Sequence, residues 1–448
     1  MNGKGYRFFL VFFLTLLPFS LLSGRERYYY SAGTLLPGIT PEMNTAGFWL
    51  ERHPAPDRAF FEETSRTQFN QKCLEIAGRP DILSFPPVFS GEVLAETLVQ
   101  ELASFEKQSL YNRQGRVNRE FYREIYDNLY LEQLSGQIKV QSGLILHRTD
   151  QRFLPTSLPL YAGPGQVNFD LLQNNLLEIG TPVIILHTSR DGRWQYVEGP
   201  WTDGWVKAEN VVAVSREQLL LYVNSRPFVV VTEPLADVYS DRGLTRRHDT
   251  VGMGAKLPLR NRDCGLVEII LPGNGEFGCG YLKERDVHRG YLPCTARAII
   301  EQAFRYLHLP YGWGGQYGFQ DCSGFIQAVF ATAGVQLPRN SREQRKVGRH
   351  LGVFDRNLPE DDRRRLLLKE AVPGITLLTM PGHSLLYLGA LDGRPYVIHS
   401  LWAFSQRTWH GDVLRVVNRV VVSDLELGAG TRSRKYLLRL SSAALIAE

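Results

Sequence analysis

The sequence predicts a multidomain α+β protein: a helical and irregular N-terminal domain (25–142), two small β-barrels (143–225 and 226–293) and a C-terminal α+β domain (294–448). Three observations lead there. The stretch 311–344 passes through two glycine-rich steps into an apolar run at helical spacing, opened by Asp321 and Cys322. Two apolar runs carrying His383 and His399 flank the turn signal Asp392-Gly393, the pattern of a β-hairpin. Between them and the N-terminal region the chain repeats itself, which points to a pair of small barrels.

Residues 1–24 have the pattern of an export signal: Lys4 and Arg7 precede an apolar run that is short for a membrane span, and Ser23 and Gly24 follow. An uncleaved anchor is the alternative, since Leu22 is large for a cleavage site. Arg25 stands where a lipoprotein would need cysteine, so lipidation is not expected. The expected location is outside the cytoplasm, in the periplasm or cell envelope. From residue 25 to 142, aromatic pairs lie among prolines, and two helices are clear. Leu94, Leu98, Leu102 and Phe105 share one face; Phe121, Ile125 and Leu129 share another, behind Asn118 as N-cap.

In the repeat, Gly204-Trp205-Val206-Lys207 through Val211 corresponds to Gly280-Tyr281-Leu282-Lys283 through Val287. Leu160-Tyr161 with Gly165 pairs with Val238-Tyr239 with Gly243, and Gly180 pairs with Gly254. Tyr196, Trp201 and Trp205 either fill small cores or reach a substrate cleft; Trp205 fits a core, whereas Trp201, in a turn between Pro200 and Asp203, is the candidate for exposure.

Of the 448 residues, 44% are hydrophobic and 22% charged, as in ordinary globular domains with ample cores. The net charge of +5 is mild, and no basic stripe is interleaved with aromatics, so nucleic acid is not an expected partner. Loose attraction to an anionic wall or membrane is compatible with it. The 5 cysteines are Cys73, Cys264, Cys279, Cys294 and Cys322, with no pair at C-x-x-C spacing; neither a metal nor another cofactor is expected. Export permits disulfides, and Cys264 and Cys279 could lie on adjacent strands of the second barrel. The odd count leaves a free thiol, for which Cys322 is the best candidate.

Cys322 opens its helix with Asp321 as N-cap, and a helix N-terminus can lower a thiol pKa. Acyl transfer also needs a base, a group orienting that base, and donors for an oxyanion. His383, in P-G-H-S-L-L-Y-L-G, and His399, in Y-V-I-H-S, supply the first two. A cysteine on a helix facing histidines on a sheet is a papain-like layout. Thr295 caps a preceding helix that ends before Pro310.

These residues resemble the NlpC-type cell-wall endopeptidases, papain-like cysteine peptidases with a Cys-His-His triad. The resemblance rests on Y-G-W-G-G, D-C-S-G-F, L-P-R-N-S-R-E-Q, P-G-H-S-L-L-Y-L-G and V-I-H-S, in that order over about the last third of the chain. It implies Cys322 as nucleophile, His383 as general base, His399 as its orienting residue, and Tyr311 beside the Cys322 amide at the oxyanion. It further implies Asp321 for a substrate amine and Ser323 and Ser341 for the peptide; each also has a plain structural role open to it. The repeats look like bacterial SH3-like domains, and R-T-D-Q-R-F-L-P-T (148–156) resembles the entry to the first such domain in multidomain members. Trp201 is the candidate there for closing the cleft. The chain departs from the pattern in a charged insertion with E-D-D-R-R-R between Gln344 and Pro373, in P-G-I-T for the usual P-G-D, and in a slightly wider spacing of the histidines.

The family cleaves γ-D-glutamyl-L-diamino acid bonds of peptidoglycan stem peptides, and members with SH3-like domains often require a free N-terminal L-alanine. The resemblance therefore implies such an endopeptidase, acting in wall recycling or remodelling. The alternatives are a wall-binding protein without activity, and an amidase or acyltransferase using the same triad.

Overall fold

The computed structural model describes residues 29–31, 33 and 35–447; the expected export signal lies outside them. Among the described residues no helix is long and apolar enough to cross a membrane.

The C-terminal unit is a sheet backed by helices. Its seven strands run Tyr29–Ser31, Gly411–Asp424, Arg394–Thr408, His383–Leu391, Thr376–Met380, Ser442–Leu445 and Arg349–His350 across the sheet. The hairpin expected around Asp392-Gly393 is present, joining His383–Leu391 to Arg394–Thr408. Both turn residues have positive φ, 49° and 74°, as a two-residue turn matching the strand twist requires. Against this sheet pack the helices Ala296–Arg305, capped by the Thr295 hydroxyl, and Cys322–Ala331, capped by Asp321. The latter is apolar nearly all round, so Phe325, Ile326, Val329 and Phe330 are fully buried.

The N-terminal region divides between two cores. Trp49, Phe60, Phe61 and Cys73 join the core of the C-terminal unit, and Tyr29–Ser31 pairs in parallel with its edge strand. The helices Gly91–Glu106 and Arg119–Asn128 instead share a core with Trp194, Tyr196 and Trp205 of the first barrel. Tyr196 and Trp205 are thus core residues. Arg79 ties the two parts, binding Glu198 and, at 2.7 Å, Asp203.

The sequence repeat appears as two seven-stranded sheets with equivalent endings. In the first, strand Asp203–Lys207 leads through a single turn, Ala208–Asn210, into Val211–Ala213; in the second, Gly278–Lys283 leads through Glu284–Asp286 into Val287–Arg289. The disulfide considered between Cys264 and Cys279 is not formed, and all 5 cysteines are free. Cys264 sits beyond the end of strand Lys256–Asp263, and strand Leu266–Leu271 lies between that strand and the one carrying Cys279, so the two are not cross-strand neighbours.

The first barrel sits on the loop that leads to Cys322. Strand Gln173–Leu177 packs against the turn Trp313–Gly318, where Gly314 and Gly315 have φ of 58° and 86°. A Cβ at Gly314 would lie 2.7 Å from Gln173 Cγ, and one at Gly315 would lie 2.5 Å from Leu176 Cβ. The paired glycines of Y-G-W-G-G are therefore required by both backbone conformation and close approach. Gly315→Ala should lower stability by about 2–4 kcal/mol through left-handed strain plus overpacking. Thermal denaturation checks this; a melting temperature equal to wild type would show that the loop yields without cost.

Candidate active site

Asp321 and Cys322 occupy the N-terminus of the helix Cys322–Ala331, on the side facing the histidine hairpin. The Asp321 carboxylate accepts five hydrogen bonds: from the Gly324 amide (2.8 Å), the Gly314 amide (3.1 Å), the Ser323 hydroxyl (3.2 Å), and Arg339 at 3.0 and 2.6 Å. Burial alone would raise its pKa, but the Arg339 guanidinium and these donors hold it below the usual carboxylate range. Those bonds use the carboxylate's accepting capacity and balance its charge inside the protein. The expectation that Asp321 meets a substrate amine is therefore at odds with its surroundings. Ser323 is bound into the same network, donating to Asp321 and accepting from Arg339 at 3.1 Å. Ser341 is half-buried at the start of the short helix Ser341–Gln344, which Gln344 ties to the Ser323 and Pro338 carbonyls, each at 2.9 Å.

Arg339 also donates to Asn175 of the first barrel at 2.7 Å. Asn175 donates to Thr202 Oγ1 at 3.0 Å, and Thr202 donates to Gln151 at 2.5 Å. This chain fixes the loop holding Trp201, which is half-buried and packs against the core of the C-terminal unit. A second link runs through Gln173, whose amide donates to Asp150 (2.9 Å) and to the Gly314 carbonyl (3.1 Å). Asp150 is left with a carboxylate between barrel and motif loop, where desolvation raises its pKa. Phe169 of the same barrel stacks edge-on against Tyr311, Trp313 and Trp402, with centroids 6.4, 5.2 and 5.1 Å apart. Burial, and then the nearness of Cys322 and Asp321, raise the pKa of Tyr311.

The histidines meet as the hairpin register demands. His383 Nε2 lies 2.6 Å from His399 Nδ1, and His399 Nε2 lies 3.0 Å from Ser423 Oγ. For His383 to act as a base at Nδ1, its proton must sit on Nε2 and be donated to His399 Nδ1. His399 must then carry its own proton on Nε2 and donate it to Ser423. This relay fixes one tautomer for each ring. Both imidazoles are held neutral, His383 at about 3 through desolvation and the Arg439 charge, His399 well below its ordinary value through burial and His383.

The thiol departs from what its helix position suggests. Burial, and then Asp321, push Cys322 up to about 12, although the Ser384 and Ser323 amides and Arg339 pull the other way. The helix N-terminus does not outweigh desolvation, because Asp321 occupies it. Cys322 Sγ contacts the Gly382 carbonyl at 3.8 Å, immediately before His383. The resting site is a neutral thiol beside a neutral imidazole, suited to proton transfer at the moment of nucleophilic attack.

Arg339, Ser423, Asp150 and Tyr436 are the site neighbours that sequence reasoning passed over. Arg339 lay within L-P-R-N-S and could have been paired with the buried Asp321; Ser423 and Tyr436 lie in ordinary apolar runs that carry no signal. Among the described residues no group of His, Cys, Asp and Glu is arranged to hold a metal ion.

Residues 308–391 match the model of the NlpC/P60 family, and residues 159–207 match that of the SH3 domain, SH3b1 type. Two relatives are named gamma-D-glutamyl-L-lysine dipeptidyl-peptidase. The Bacillus cereus protein is 31% identical over 28% of this chain and 38% of its own length; that of Bacillus subtilis is 26% identical over 38% of this chain and 57% of its own. A solved NlpC/P60 endopeptidase of Photobacterium damselae subsp. piscicida shares the fold with a TM-score of 0.74 at 18% identity, covering 93% of this chain and 99% of that one. The chain thus combines an NlpC/P60 domain, which holds Cys322 and His383, with an SH3b1-type domain seated beside it.

Proposed function

We propose that the protein is a cysteine endopeptidase hydrolysing the γ-D-glutamyl-L-diamino acid bond of peptidoglycan stem peptides with a free N-terminal L-alanine, in the cell envelope. The observation that carries this reading is the His383, His399, Ser423 relay beside Cys322, with Cys322 and His383 inside the NlpC/P60 match and the first barrel flanking the cleft. The names of the two relatives support the bond. In this reading His383 Nδ1 takes the Cys322 proton as sulfur attacks the γ-carbonyl of D-glutamate. The Cys322 amide and the Tyr311 hydroxyl stabilise the oxyanion. His383 then protonates the leaving amine, and water, deprotonated by the same nitrogen, resolves the thioester. His399 and Ser423 act by keeping that nitrogen free.

The amine end is assigned differently from the sequence expectation. Asp321 is saturated, whereas Asp150 carries one hydrogen bond, from Gln173, and faces the motif loop. Asp150 receives the L-alanine ammonium, with Trp201 closing the cleft beyond it; Ser323 and Ser341 line the peptide path. A carboxylate left unpaired on binding rejects acylated substrates.

Three outcomes follow. Cys322→Ala should abolish turnover, His383→Ala should cost roughly 10²- to 10⁴-fold, His399→Ala less, and Ser423→Ala about tenfold, measured as kcat on purified folded protein. Alkylation of resting Cys322 by iodoacetamide should be slow at pH 6–8 and rise toward higher pH, because a thiol raised to about 12 yields thiolate only as alkali is approached; fast labelling at pH 6 would contradict the neutral pair. Mass spectrometry should find L-Ala-D-Glu released from L-Ala-γ-D-Glu-L-Lys but not from its N-acetyl form, with Asp150→Asn narrowing the difference. Cleavage of neither, with retention on cell walls, would support a binding protein instead; equal cleavage of both would remove the free-amine requirement.

A further inference from the structure

The helix Tyr436–Arg439 brings two side chains to the histidine flank of the site that the mechanism above does not use. Tyr436 is 2% exposed, and its ring stands edge-on to both His383 and His399, with centroids 6.2 and 6.0 Å away. Its hydroxyl makes no hydrogen bond with the described residues and is not sealed from solvent as the unpartnered Tyr306 hydroxyl is. Burial pushes its pKa up to about 12, against the pull of the nearby Arg439 charge.

Arg439 lies with its guanidinium carbon 5.2 Å from the centroid of the Tyr436 ring, half-buried. Neither ion pair nor hydrogen bond joins it to the described residues. Other arginines around the cleft are matched: Arg339 by Asp321 at 2.6 Å, Arg148 by Glu178 at 2.8 Å, and Arg363 by backbone carbonyls. An unmatched guanidinium beside His383 also opposes catalysis as the site stands, because its charge disfavours the imidazolium that forms when Cys322 gives up its proton. An anion brought by the substrate removes that opposition.

The position says which part of the substrate carries the anion. The leaving nitrogen takes its proton from His383, so the departing fragment lies on the His383 side of the scissile bond, the side of Arg439 and Tyr436. We propose that Arg439, with the Tyr436 hydroxyl beside it, binds the α-carboxylate of the departing diamino acid, a deepening of the endopeptidase reading on which it rests. Guanidinium and carboxylate match as a two-point hydrogen-bonded pair. The enzyme then favours peptides that end at the diamino acid over peptides in which the same carboxyl is an amide.

The test uses L-Ala-γ-D-Glu-L-Lys and its C-terminal carboxamide, with kcat/KM for L-Ala-D-Glu release measured on wild type, Arg439→Gln and Arg439→Lys. Wild type is expected to favour the free acid by roughly 10- to 100-fold, the range of a charge-assisted hydrogen bond. Arg439→Gln should collapse that ratio to within a few-fold, and Arg439→Lys should restore part of it. A wild-type ratio near one overturns the assignment without recourse to any variant, and so does a ratio that Arg439→Gln leaves intact. Cleavage of neither peptide by wild type is a different result: it overturns the endopeptidase reading itself and the carboxylate site with it.

Discussion

The site depends on one buried ion pair. Asp321 must cap the helix that presents Cys322, and a carboxylate there is costly to bury unless its charge is met. Arg339 meets it with two hydrogen bonds, and its Nε donates to Asn175 of the first barrel. The same pair therefore sets the helix, neutralises its first turn and fastens the barrel to the cleft. Replacing either partner alone would leave the other charge buried, so neither can be tuned independently of the cleft wall.

Neutralising that first turn has a chemical consequence. A helix N-terminus that already holds an anion has little left to offer a thiolate, and burial then dominates both the thiol and the imidazole. In the endopeptidase reading proposed above, the driving force for proton transfer comes with the substrate, which replaces the remaining solvent and supplies charges of its own. The hydrogen-bond relay from His383 through His399 to Ser423 suits this, since it holds the accepting nitrogen ready without charging either ring in advance.

Much of this was legible in the sequence, because the local signals were strong and agreed with the global fold. The Asp392-Gly393 turn fixed the hairpin, the hairpin placed His383 and His399 on neighbouring strands, and Asp321 before an apolar run marked the start of the Cys322 helix. The barrel repeat likewise survives as matched strand, turn and strand endings. What could not be read were relations between distant segments. Strand Tyr29–Ser31 joins a sheet whose other strands lie more than three hundred residues later, and Ser423 becomes part of the relay only through its register opposite Val397, two residues before His399. The surroundings of Asp321 were hidden for the same reason: motif position suggested an available carboxylate, whereas in the fold its oxygens accept from Arg339 and three other donors.

The charged insertion has a place in the same logic. Its helix Glu360–Glu370 sends Arg363 inward to the carbonyls of Leu358, Leu437 and Leu440, and through them holds the segment that carries Tyr436 and Arg439. Two of its charged side chains are matched with the same stretch of chain: Glu360 and Glu426 are shared between Arg364 and Lys435 at 2.5–3.0 Å. Glu360 and Glu426 are therefore spent on other cations, and among the described residues none pairs with Arg439, whose segment Arg363 holds. A guanidinium on an anchored segment, with its charge unmet by the described residues, has less freedom to lose when an anion arrives than one on a mobile segment. In the endopeptidase reading proposed above, the insertion thus serves the cleft indirectly, by holding the segment that presents Arg439.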